Sequence, residues 1–241
     1  MMTRLTGPRI YVGAVIAAGA AVLVSLAPRE LHDPVMAGGL LAATLTLSLF
    51  KLRLPLGNGV STMSMAYAVD FVALIVEGVN LAVFLAAIGV LVQCTVRVRR
   101  RQPIHRAAFS AAAVVIAVRL AGWGWTALGG SLTNLALTTT LLPLMACAIT
   151  YYIVNTSLIV GAIALTSSVS PVRAWNREFW WSAPAYLLSA VVAGLVALAI
   201  VNDAVVLLPV IASPLYACYR GYHTRWSGMR STLRVAAPSR V

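Results

Sequence analysis

Two ionisable side chains lie deep inside apolar runs of this chain. Asp70 sits within Ala68-Val69-Asp70-Phe71, and Arg119 within Ala117-Val118-Arg119-Leu120. An ionisable group in a hydrocarbon layer is expensive, so each marks a functional site by default. Two readings stand side by side. The residues could line a site for a polar ligand or an ion between helices, or they could form a structural ion pair, with an Arg reaching toward the headgroups as a further bland reading. The stretch Tyr151-Tyr152-Ile153-Val154-Asn155 adds an amide whose donors and acceptors need partners in lipid. Asn155 could serve as interhelical glue or contact a ligand. Asp70, Arg119, Asn155 and Tyr152 are therefore the expected ligand-binding residues.

Catalysis is not expected. The chain has no HExxH, GxSxG or Walker A motif. His32, His105 and His223 are far apart, and the carboxylates offer no close pair for general acid–base work. Cys94, Cys147 and Cys218 are scattered through apolar sequence, which argues against a disulfide framework or a zinc site. Neither a metal nor a cofactor is expected.

These residues must be positioned by membrane helices. Of the 241 residues, 61% are hydrophobic and 10% charged, against roughly 25% charged in an average soluble domain. That balance excludes a soluble enzyme, a disordered chain and a DNA-binding domain. The net charge of +12 is spread between apolar runs, so it reads as topology rather than as nucleic-acid binding. A crossing needs ~20 apolar residues. The apolar segments are 10–27, 34–50, 60–76, 80–96, 107–127, 137–165, 182–200 and 204–219, punctuated by Pro28 to Pro34, Gly57-Asn58-Gly59, Glu77-Gly78, Arg97 to Arg106, Gly129-Gly130, Ser167 to Arg177 and Asn202-Asp203. The first is read as an uncleaved helix, since Pro28 directly follows the Ser25-Leu26-Ala27 that resembles a cleavage site.

Segment 137–165 sets the parity. Pro143 and Asn155 within it favour a kink or a break. If it crosses once, the chain spans the membrane eight times, sixteen of the 18 cations are cytoplasmic, Arg29 is outside and Arg119 is in the membrane. If it crosses twice, nine lie inside and eight outside. The positive-inside bias selects the first arrangement. The expected fold is thus an all-α, polytopic helical bundle of about eight spans with both termini cytoplasmic. Residues 1–222 form the transmembrane domain and 223–241 a short basic tail.

Further residues have interfacial roles. Trp123, Trp125, Trp175, Trp180 and Trp181 lie at span ends and fit an aromatic belt. Arg97, Arg99, Arg100 and Arg101 form the densest basic cluster, suited to anionic lipid headgroups or to anchoring topology. Ser61, Thr62 and Ser64 open the third span, as helix caps or as a polar vestibule lining.

The order of features resembles the multi-helix membrane sensor region found N-terminal to bacterial HD-GYP and GGDEF domains of cyclic-di-GMP signalling. The resemblance is carried by Leu54-Pro55-Leu56-Gly57 through Ser64, the Glu77-Gly78 hairpin, the Arg-rich loop before Ala108-Phe109-Ser110, Gly129-Gly130, Tyr151 to Asn155, Pro184-Ala185-Tyr186 and Tyr219-Arg220. It covers roughly residues 10–222. Ser110 departs from the Asn found after the Phe in that pattern. The resemblance implies a bacterial inner-membrane protein that receives a signal, dimerises and performs no catalysis. The family usually continues into a cytoplasmic signalling domain, so either the output lies on a partner protein or the chain is an orphan or truncated sensor. The expected partners are the bilayer, a second copy of the chain, and a cytoplasmic signalling or transport protein, with no nucleic acid. The rival class is a small transporter or the substrate-binding subunit of one. For the topology, a reporter active only outside the cytoplasm, fused after Val241, is expected to stay silent; strong activity there contradicts eight crossings.

Overall fold

A computed structural model of the chain describes residues 6–27, 33–56, 59–96, 103–131, 136–167 and 169–217, together with 220, 221 and 224. The elements in order are α1 (Thr6–Ser25), α2 (Pro34–Leu49), β1 (Lys51–Leu56), β2 (Gly59–Ser64), α3 (Tyr67–Val76), α4 (Val79–Thr95), α5 (Ile104–Ala127), α6 (Leu137–Ser167), α7 (Pro171–Glu178), α8 (Ala183–Val201) and α9 (Val205–Ala217). The protein is a helical bundle with one short hairpin. Among the described residues four helices are long and apolar enough to cross a membrane: Gly7–Ser25, Ile104–Ala127, Thr138–Ser167 and Ala183–Val201. The basic cluster Arg97, Arg99, Arg100 and Arg101 lies outside the described residues, as does almost all of the expected tail 223–241.

Local chemistry fixes the ends of these elements. Pro34 starts α2, and the Asp33 carboxylate accepts from the Val35 and Met36 amides at 2.8 and 3.1 Å, satisfying donors a helix leaves orphaned. Gly78 joins α3 to α4 at φ 89°, a conformation favoured by glycine. Gly129 forms the turn that closes α5 at φ 79°, and Gly130 lies so close to the Trp125 indole that no Cβ would fit.

The third apolar segment departs from the expected span. Only Tyr67–Val76 is helical, and the residues before it form β2, antiparallel to β1 with Leu56 opposite Gly59. Two residues, Gly57-Asn58, separate the strands, a composition suited to a two-residue hairpin. The signal is in the sequence: Leu52, Leu54 and Leu56 alternate with Lys51, Arg53 and Pro55 at the strand period of two. The expectation that Ser61, Thr62 and Ser64 cap a helix is corrected, since α3 begins after Ala66 with no side-chain cap. Ser64 instead donates to Gln93 Oε1 of α4 at 2.9 Å.

Segment 137–165 is a single element. α6 is one helix of 31 residues that retains Pro143 in its interior, about 46 Å long at 1.5 Å per residue. Its inward face carries Leu144, Cys147, Ala148, Tyr151, Tyr152, Asn155 and Thr156, all buried, while Leu142, Ile149 and Ile153 point outward and are exposed. That is helical periodicity in an apolar setting. α5 packs against α1, α4 and α6, and α8 packs against both α3 and α6. Tyr67 through Ile75 of α3 are buried without exception, so this ten-residue helix is enclosed by the bundle. At about 15 Å it covers half a hydrocarbon core of ~30 Å.

Gly130→Ala should destabilise the protein by ~1–3 kcal/mol, because the new Cβ collides with the Trp125 ring. Gly38→Ala in α2 meets nothing within 4 Å and should be neutral or stabilising by ~0.5–1 kcal/mol. Thermal unfolding in one detergent compares the two.

Candidate functional site

α3, α6 and α8 converge on a cluster of aromatic and polar side chains. Asp70 falls in the first turn of α3 and is 4% exposed. A carboxylate there is favoured by the positive end of the helix dipole. On α6, Tyr151 and Tyr152 lie one turn before Asn155, so helical spacing brings all three to the inward face. α8 contributes Tyr186, beside the small residues Ala185, Ser189 and Ala190 that let the helices approach closely.

Tyr186 is the centre of the ring contacts. It stacks on Tyr67 at 4.5 Å between centroids and lies 5.7 Å from Tyr151 and 5.3 Å from Tyr152. Phe71 meets Tyr151 edge-on at 5.3 Å. Such geometry suits the quadrupoles of aromatic rings. The Tyr151 hydroxyl donates to the Asp70 carboxylate, and Asn155 Nδ2 donates to the Tyr186 hydroxyl at 3.4 Å.

α7 covers one flank of the cluster. Trp175 packs 5.8 Å from Tyr152 and donates its Nε1–H to Thr156 Oγ1 at 2.9 Å. Thr156 in turn donates to the Tyr152 carbonyl at 2.6 Å, and the Tyr152 hydroxyl donates to the Phe179 carbonyl at 3.0 Å. This chain of bonds ties α7 and the turn after it to α6.

Two acceptors in the cluster are left over. Asp70 Oδ1 and Asn155 Oδ1 are buried without a hydrogen-bond partner, although Asn155 is only 7% exposed. Buried polar atoms are rarely left so, and each exception needs an explanation. The other buried, unpartnered side-chain oxygens among the described residues are Thr44 Oγ1 and Ser48 Oγ of α2. Both face Gly89 of α4, where a Cβ would come within 2.9 Å of Thr44 and 3.1 Å of Ser48. They belong to a close crossing of α2 with α4, where the same Cβ position lies 3.8 Å from Ala66 Cβ at the start of α3, and their setting among Ala and Leu gave the sequence no feature that singles them out.

The expected pairing of Asp70 with Arg119 does not occur. Arg119 is half-buried on α5, and its guanidinium lies over the Trp123 ring at 4.9 Å, a cation–π contact within one helix. Asp70 is hydrogen-bonded by Tyr151, and no ion pair joins it to Arg119 among the described residues. Tyr152 and Asn155 both contact Tyr186, Asp70 meets Tyr151 beside it, and Arg119 is not part of these contacts. Tyr67, Tyr151, Tyr186 and Trp175 were missing from the expected set; the recurrence of tyrosine in otherwise aliphatic helices was the available signal.

The expected aromatic belt is also redrawn. Trp123 and Trp180 are 57% and 64% exposed. Trp125 is 3% exposed in the core, and Trp175 turns inward to Tyr152 and Thr156. The Trp181 side chain lies outside the described residues.

Comparison of the chain with protein families, curated proteins and solved structures finds no match.

Tyr151→Phe removes the hydroxyl that donates to Asp70 and should cost ~1–3 kcal/mol. Arg119→Leu should cost less than ~1 kcal/mol, the scale of an exposed cation–π contact. Asp70→Asn and Arg119→Leu should combine additively within ~0.5 kcal/mol, as unconnected sites do; a double variant more stable than either single one would restore the ion pair.

Proposed function

We propose that this chain is a membrane-embedded sensor whose ligand sits between α3, α6 and α8, and which passes the bound state to a cytoplasmic partner. The observation that carries the reading is the pair of unpartnered buried acceptors, Asp70 Oδ1 and Asn155 Oδ1, within one cluster of tyrosines. A folded helical protein has no structural need for an acid at this position, and a ligand that supplies donors would offset its burial. The resemblance to sensor regions of cyclic-di-GMP signalling proteins supports the same reading, as does the direct route from Tyr186 along α8 to α9 and the basic sequence beyond. A ligand acts by binding two helix arrangements with different affinity.

The proposed setting is a bacterial inner membrane crossed eight times, with both termini cytoplasmic. In this arrangement α1, α2, α4, α5, α6, α8 and α9 each cross, and the hairpin with α3 forms the remaining crossing. The single continuous α6 supports the parity that leaves the basic segments on one side.

One observation favours the second reading, a transporter or its substrate-binding subunit. α3 is a half-length helix preceded by a non-helical segment, and interrupted spans recur at transporter binding sites.

Native mass spectrometry of the full chain released from lipid nanodiscs separates the two. The sensor reading expects a homodimer, in which any retained small molecule disappears with Asp70→Asn. A monomer that retains one small molecule contradicts the relay and favours the transport subunit.

A further inference from the structure

We propose that the α3–α6–α8 site takes a small organic ammonium group, held by Asp70 and Asn155 against the faces of the surrounding tyrosines. This names the ligand class of the site and rests on the sensor or transporter reading above.

The polar inventory of the cluster is one-sided. Both unpartnered atoms are acceptors, Asp70 Oδ1 and Asn155 Oδ1. The other buried side-chain atoms without a partner among the described residues are the hydroxyls of Thr44 and Ser48 on α2. The donors present are already committed: Tyr151 to Asp70, Asn155 Nδ2 to Tyr186, and Tyr152 to the Phe179 carbonyl. A complementary ligand must therefore bring hydrogen-bond donors.

The charge is one-sided as well. Asp70 is more than nine-tenths buried, and the cation expected to balance it is engaged with Trp123. Among the described residues no Lys or Arg forms an ion pair with this carboxyl. A positive ligand would supply the missing counter-charge in a setting of low dielectric, where breaking such a pair is costly.

The walls suit the same chemistry. Tyr67, Tyr151, Tyr152 and Tyr186 form a continuous group of rings, with Trp175 at its edge. Aromatic faces attract cations, and boxes of this composition are a recurrent solution for ammonium ligands. A hard metal ion could also be held by carboxylate and amide oxygens, but it is normally coordinated by about six or more of them. The observed group also lacks three His, Cys, Asp or Glu side chains that could hold a metal. An anion is opposed by Asp70.

Three probes separate charge from donors: ethylammonium carries both, acetamide of similar size carries donors without charge, and the smaller sodium ion carries charge without donors. Calorimetric titration of the full chain in nanodiscs should show saturable ethylammonium binding, at least tenfold tighter than acetamide or sodium, in line with the ~10–100-fold value of a charge-assisted hydrogen bond. Asp70→Asn should abolish it. Asn155→Ala, which leaves the Asp70–Tyr151 bond untouched, should weaken it several-fold and so provides a check that does not depend on altering the acid. Equal binding of acetamide overturns the cation and leaves the ligand site standing. Equal or tighter binding of sodium overturns the ammonium in favour of a bare ion. Absence of binding by all three overturns the ligand class, while a small molecule retained in the mass spectrum of the wild type and lost with Asp70→Asn would still uphold the site.

Discussion

A carboxyl group taken out of water governs the centre of this bundle. Removing an ion from water costs several kcal/mol even after relaxation, and Asp70 has one hydrogen bond, from Tyr151, to set against that cost. The surroundings follow from this constraint. Asp70 is placed in the first turn of α3, where the helix dipole favours negative charge. Tyr151 is braced by Phe71 and Tyr186, Tyr186 stacks on Tyr67, and Tyr152 is tied to α7 through Phe179 and Trp175. Each ring orients the next, so the acid is held by a connected network rather than by a counter-ion.

The interrupted third segment makes this placement possible. A full-length helix from residue 60 would carry Asp70 near its middle, far from either helix end. The β1–β2 hairpin instead lets the helix begin at Tyr67, three residues before the acid. α3 is short enough to be enclosed by its neighbours on every side, with Tyr67 through Ile75 buried. The hydrogen bond between Ser64 and Gln93 fixes the junction of hairpin and helix against α4. The same arrangement leaves α8 in contact with both α3 and α6. A change at the site is thereby felt by the helix that leads to the C-terminal segments.

Much of this was legible in the sequence because membrane helices are long, apolar and punctuated. The segments 34–50, 80–96, 107–127 and 182–200 match α2, α4, α5 and α8 to within a few residues. The hairpin was missed because Val60 to Met65 is apolar enough to pass for the start of a span, and the period-two pattern of Leu52, Leu54 and Leu56 was short. Asp70 and Asn155 stood out because polar atoms are rare in such sequence. The Asp70–Arg119 pair failed for a geometric reason: two charges inside spans suggest each other, but Trp123 one turn along α5 offers Arg119 a nearer partner. Tyr67, Tyr151 and Tyr186 share no local spacing, since α3, α6 and α8 meet only in the fold. Trp125 looked interfacial by position, yet Gly130 leaves room for its ring to turn inward.

The most direct test is an experimental density map of the full chain in a lipid bilayer, at a resolution that defines the side chains of α3, α6 and α8. The expected result is non-protein density within hydrogen-bond distance of Asp70 Oδ1 and Asn155 Oδ1, enclosed by Tyr67, Tyr151 and Tyr186. A map in which protein side chains satisfy both oxygens, or in which Asp70 reaches Arg119 directly, would contradict a ligand site at this position.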